Sequence, residues 1–135
     1  MRWKHVVVTV LFSSVLVFAV APMSASTTGA AGSCVGAISW NRALGLIGRV
    51  ATVKGRVAGS FFASTSNGSP TFLNLGVDYP SSRRFMVVIW GRDRAKFRSP
   101  ESTYLGRTIC VRGRIRPYQG IAEVFATSPS QIAFG

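Results

Sequence analysis

Thr108-Ile109-Cys110-Val111-Arg112-Gly113-Arg114-Ile115-Arg116 alternates more cleanly than any other stretch of this 135-residue chain. Successive side chains of a strand point to opposite faces, so Ile109, Val111 and Ile115 share one side while Cys110, Arg112, Arg114 and Arg116 share the other. Such a strand rests one face on a core and shows solvent a row of arginines. Its companions read in the same way. Arg49-Val50-Ala51-Thr52-Val53-Lys54-Gly55-Arg56-Val57 alternates with Lys54 and Arg56 outward, and Gly55 in its middle predicts the bend or bulge of a tightly curved sheet. Thr71-Phe72-Leu73-Asn74-Leu75-Gly76 turns Leu73 and Leu75 inward and Phe72 and Asn74 outward. Arg84-Phe85-Met86-Val87-Val88-Ile89-Trp90 is apolar on both faces, which makes it either central and covered or a strand with one face kept for a ligand.

The connections are equally legible. Ser39-Trp40-Asn41-Arg42-Ala43-Leu44 predicts a helical turn or two, with Ser39 as N-cap and Gly45 near its end. A Ser/Gly-rich loop over residues 58–70 carries Phe61 and Phe62, and Asp78-Tyr79-Pro80-Ser81 supplies a turn. Residues 93–105 are polar and irregular, with Pro100 limiting any helix to a short one. Pro117-Tyr118-Gln119-Gly120 makes a tight loop, residues 122–126 form a fifth strand, and Gln131-Ile132-Ala133-Phe134 closes the chain.

The N-terminus belongs to a different register. Arg2 and Lys4 precede an apolar run of about 16 residues from Val6 to Ala21, shorter than the ~20 needed to span a bilayer, so residues 1–25 read as an export signal. Residues 26–37 form a small, polar, flexible lead-in, and residues 38–135 one domain. Loss of the signal leaves 14 basic and 4 acidic residues, a formal charge of +10, and removes the single histidine. A charge this high favours nucleic acid, anionic lipid or acidic polysaccharide without choosing among them. In an exported chain Cys34 and Cys110 are economically assigned to one disulfide, which closes a long loop and contributes roughly 4 kcal/mol in the chain-entropy model.

Between Arg83 and Arg116 lie ten of the sixteen basic residues, interleaved with Phe85, Trp90, Phe97 and Tyr104 and opposed only by Asp93 and Glu101. Arginines neutralise phosphates and aromatic faces accept unpaired bases, so the combination suits single-stranded nucleic acid. Catalysis has little support. Without histidine no Ser/His or Cys/His pair exists, a disulfide removes both thiols, and the four carboxylates are scattered with no spacing suited to a metal. No metal and no cofactor are expected.

Five strands, glycines within the first and fourth, and a short helical lead-in match an all-β, five-stranded Greek-key OB-fold barrel with a short N-terminal helical segment. In wording, residues 38–43, 48–57, 71–76, 84–90, 104–113, 118–120 and 128–132 resemble the small bacterial nucleic-acid-binding OB domains found alone in exported proteins or attached to secreted nucleases. The chain departs from them after Gly120, where Ile121-Ala122-Glu123-Val124 stands. The resemblance implies a monomeric, periplasmic or extracellular binding module, acting alone or beside a separate secreted nuclease. OB barrels bind across their second and third strands between the first and last loops, which nominates Phe72, Asn74, Trp90, Tyr118 and Phe62 as base contacts. Lys54, Arg56, Arg112, Arg114 and Arg116 are the matching phosphate contacts. Two alternatives stay open: Phe72, Trp90 and the loop aromatics are core, or the same basic barrel is a cell-envelope protein binding anionic lipid, polysaccharide or a small charged ligand.

Overall fold

The computed structural model describes residues 32–135. The export signal read at residues 1–25, and the lead-in up to residue 31, lie outside these. From Gly32 onward the chain is mostly β, and its strands are β1 (Ile38–Ser39), β2 (Val50–Phe62), β3 (Thr71–Leu75), β4 (Phe85–Ile89), β5 (Thr108–Arg114), β6 (Arg116–Tyr118), β7 (Ile121–Phe125) and β8 (Ile132–Phe134). Their order is β6-β7-β4-β3-β2-β5-β8, with β1 parallel to the start of β2. The expected five strands correspond to β2, β3, β4, β5 and β7, but the sheet has eight strands in an open order rather than five in a closed one. One extra strand arises at Ile115, which turns its buried side chain into the core and splits the arginine strand into β5 and β6, and the short β1 and β8 supply the other two.

β2 is the longest element because it serves two partners. Residues 50–56 pair with β5 and residues 57–62 with β3, and a register shift between Val57 and Gly59 lets the strand bend from one to the other. A bulge does this by leaving one residue unpaired and raising the local twist. Sequence alternation fades at Ala58-Gly59-Ser60, so the predicted strand stops at Val57, whereas the actual one continues through Phe61 and Phe62. These two phenylalanines therefore lie on a strand and not in a loop.

The inward faces meet in one core. Val53, Val57, Leu73, Leu75, Phe85, Val87, Ile89, Ile109, Val111, Ile115 and Val124 are buried together, each contributing about 1.5–3 kcal/mol of transfer free energy. A 3-10 turn over Trp40–Leu46 closes one end of this core, with Ala43 fully buried. Ser39 sits at its N-cap, as predicted, but its side chain makes no capping hydrogen bond. Trp40 lies so close to Gly76 (φ 84°) that a Cβ there would stand 2.0 Å from its Cε2. The Cys34–Cys110 disulfide is present, with Cα atoms 5.3 Å apart across a separation of 76 residues. It ties the lead-in to the middle of β5.

Candidate nucleic-acid interface

β4 is covered on both sides, which resolves the ambiguity of its sequence. Phe85, Val87 and Ile89 fill the core, while Met86 and Val88 point outward into a second apolar cluster with Ile121, Phe72, Trp90 and Phe125. The register explains the gathering. Phe61, Phe72, Val88 and Phe125 form one cross-strand row over β2, β3, β4 and β7, and Asn74, Met86, Glu123 and Arg116 form the next row over β3, β4, β7 and β6. Phe72, Trp90 and Phe125 are half-buried, so each packs on the sheet and still offers part of its ring to solvent. Trp90 meets Phe125 edge-on at 5.7 Å and 83°. The loop over residues 63–70 closes beside them: the Gly91 amide donates to the Gly68 carbonyl at 2.9 Å, and a Cβ at Gly68 (φ 76°) would stand 2.9 Å from Trp90 Cε3.

Charge frames this patch. The Arg116 guanidinium lies 4.5 Å from the Phe125 ring centroid, and its Nε is 4.0 Å from Glu123 Oε1. Glu123 is only 5% exposed. Burial pushes its carboxyl above the usual range, a rise that Arg116 opposes. Tyr118 is exposed, but it and Pro117 lie on strand β6 and not in the tight loop expected there.

Several nominated residues fall elsewhere. Asn74 is outward in register but only 4% exposed; its amide donates to Asp78 Oδ1 at 2.8 Å, and its own oxygen is buried without a partner. It braces the β3–β4 turn instead of facing solvent. Phe62 is not a free clamp either, because Arg94 covers its ring at 3.7 Å. Arg94 in turn donates to both carboxylate oxygens of Glu101, at 2.5 and 2.7 Å, and to Thr71 Oγ1 at 2.8 Å. This fork holds the Glu101 carboxyl below its ordinary range. Arg94 thus pins residues 91–103 to the sheet, and Lys96 does the same through Asp93 and the Thr127 carbonyl.

The arginine row is divided. Arg116 joins the aromatic patch, whereas Arg112 stands opposite Thr52, Arg114 opposite Val50, Lys54 opposite Cys110 and Arg56 opposite Thr108. Those four cations are exposed on the paired strands β2 and β5. The notable omission from the sequence reading is Phe125. Its signal was the alternation of Ile121, Glu123 and Phe125 against Ala122, Val124 and Ala126, which places it outward with Trp90. Among the described residues, no three His, Cys, Asp or Glu side chains gather where they could hold a metal.

No family model matches the chain, and no curated protein does. Among solved structures, it is similar to an OBody, AM1L10, bound to hen egg-white lysozyme, at 17% identity and a TM-score of 0.49 over 71% of this chain and 90% of that one. It is also similar to the Stn1-Ten1 complex of S. pombe, at 22% identity and a TM-score of 0.46 over 64% of this chain and 58% of that one. A third likeness is to asparaginyl-tRNA synthetase of Entamoeba histolytica, at 20% identity and a TM-score of 0.47 over 68% of this chain and 22% of that one.

Proposed function

We propose that the protein is an exported, monomeric binding module of the OB type that takes single-stranded DNA or RNA with little sequence preference. The observation that carries this reading is the outward aromatic cluster of Phe72, Trp90 and Phe125, set beside Arg116 and the exposed Tyr118. Half-buried rings on a sheet are rigid platforms for unpaired bases, and adjacent guanidinium groups take the phosphates between them. In this reading β5 and β6 are one strand interrupted at Ile115, so that β2, β3, β4, the β5–β6 strand and β7 make up a Greek-key barrel. The disulfide supports an oxidising compartment, periplasmic or extracellular. The chain acts by binding and not by catalysis, and a separate secreted nuclease is a suitable recipient of the strand it holds.

The test is binding of the oxidised mature domain to a fluorescent single-stranded oligonucleotide over a salt series, with base-free polyphosphate as competitor. Poor competition by polyphosphate, with log affinity falling by about 0.7 per phosphate contacted for each log unit of salt, supports stacking. Equal displacement by any polyanion sinks it and favours a ligand such as anionic lipid or envelope polysaccharide.

A further inference from the structure

Among the described strands β7 alone carries an Asp or Glu, and the exposed cations cluster on the β2–β5 pair. β2, β5 and β8 carry no Asp or Glu, and the four side-chain carboxylates of the described residues are Asp78 after β3, which packs against Gly59 in the half of β2 paired with β3, Asp93 and Glu101 between β4 and β5, and Glu123 on β7. The exposed cations Lys54, Arg56, Arg107, Arg112 and Arg114 belong to the β2–β5 side, and none of them is in an ion pair with a side chain of the described residues. Arg56 and Arg107 stand at one end of β5, and Arg112 and Arg114 at the other. A seven-residue strand runs about 20 Å between them. Among the described residues, the exposed ring of β2, Phe61, lies in the half paired with β3, away from residues 50–56. Phe134 is the exposed aromatic of β8, and the Arg107 guanidinium already lies 4.4 Å from the centroid of that ring.

We propose that the β2–β5 side is a second surface, separate from the aromatic patch, that takes the phosphate backbone of double-stranded nucleic acid. Cations outside ion pairs recover the full counterion-release gain, and a surface whose exposed ring already carries an arginine has little reason to prefer unpaired bases. The array is linear, as a duplex is. About 20 Å of duplex presents ~12 phosphates, enough to engage both ends of β5 at once. The two surfaces together let one molecule hold a single strand against a duplex, so the protein bridges nucleic acids instead of merely coating them.

Two variants of equal charge loss test this: Lys54→Gln/Arg56→Gln/Arg112→Gln on the proposed surface, and Arg42→Gln/Arg83→Gln/Arg98→Gln elsewhere. All six side chains are exposed, and thermal melts verify that both variants fold. With a fluorescent duplex, the first variant should lose about 2.7 from the slope of log affinity against log salt, at 0.9 per phosphate contact. The second should keep the wild-type slope. Equal losses in both variants overturn the proposal, because they indicate diffuse charge. So does loss of binding to phosphatidylglycerol vesicles by the first variant with duplex binding intact.

A measurement on the unmodified protein is independent of any variant. Duplex-coated beads should retain a labelled single strand only when the protein is present, and one-for-one displacement of duplex by single strand overturns the proposal by showing a shared face. Trp90→Ala separates the two readings. If it spares single-strand affinity while the duplex results hold, the stacking function fails and the second surface stands.

Discussion

Arg116 sits over Phe125, its guanidinium carbon 4.5 Å from the ring centroid, although the two residues come from different strands, β6 and β7. The contact covers one face of Phe125, the ring that also meets Trp90 at 83°. Removing either ring should remove a stacked base. Trp90→Ala and Phe125→Ala are each expected to weaken single-strand binding by roughly 1–3 kcal/mol, read by fluorescence anisotropy on variants whose circular dichroism is unchanged. Unaltered affinity in both would leave the patch as packing alone.

Glu123 should make stability depend on pH in the direction opposite to most carboxylates. Its folded pKa lies above the ordinary 4.5 because burial disfavours the charge. The protonated form is the one the fold prefers, so its contribution is complete below pH 4.5 and is lost as pH rises through the folded value. Glu123→Gln should therefore melt higher than the wild type at pH 7, with the gap closing below pH 4.5. A gap that widens in acid contradicts this assignment.

Glu101 behaves in the usual way. The Arg94 fork holds its pKa below 4.5, so its contribution is present above pH 4.5 and is lost as pH falls through the folded value. At pH 7 Glu101→Gln should cost about 1.5–3 kcal/mol, the range for hydrogen bonds to charged groups. Urea titrations at pH 7 and pH 3 test both parts, since the cost should shrink in acid.

Gly76→Ala introduces two separate faults. Its φ of 84° suits glycine, and the new methyl group would overlap the Trp40 indole. Strain and overpacking together should destabilise the domain by about 3 kcal/mol, visible in thermal or urea unfolding. Trp40→Phe/Gly76→Ala should recover part of that loss.

Reduction of Cys34–Cys110 should cost about 4 kcal/mol in the chain-entropy model for a loop of this length. Parallel melts of the oxidised domain and of Cys34→Ser/Cys110→Ser measure it directly. A difference below 1 kcal/mol would mean that the lead-in contributes little to the fold.

Core residues were legible wherever polar and apolar side chains alternate. Leu73 and Leu75, Phe85, Val87 and Ile89, and Ile109, Val111 and Ile115 all turn inward as their parity requires. Parity does not reveal what covers an outward residue. Asn74 and Phe72 have the same outward parity, yet the Asp78 turn buries the first and leaves the second half open. The sequence shows Phe62 without its cover, because the arginine that lies on it comes from 32 positions further along the chain. Arg112, Arg114 and Arg116 share a face of the extended chain, but a one-residue break at Ile115 hands them to different neighbours. Such partitioning depends on strand order, which alternation does not encode.

The seam in β2 between Val57 and Gly59 also sets an order of assembly. Residues 57–62 find β3 after a short loop, so this hairpin forms with little closure entropy. Residues 50–56 wait for β5, roughly fifty positions later in the chain. Until β5 arrives, half of one strand is zipped and the other half presents unsatisfied amides and carbonyls to any neighbouring chain. A fragment ending before Thr108 keeps the β5-facing edge of that half-strand bare, which makes premature termination there a direct route to intermolecular β-pairing.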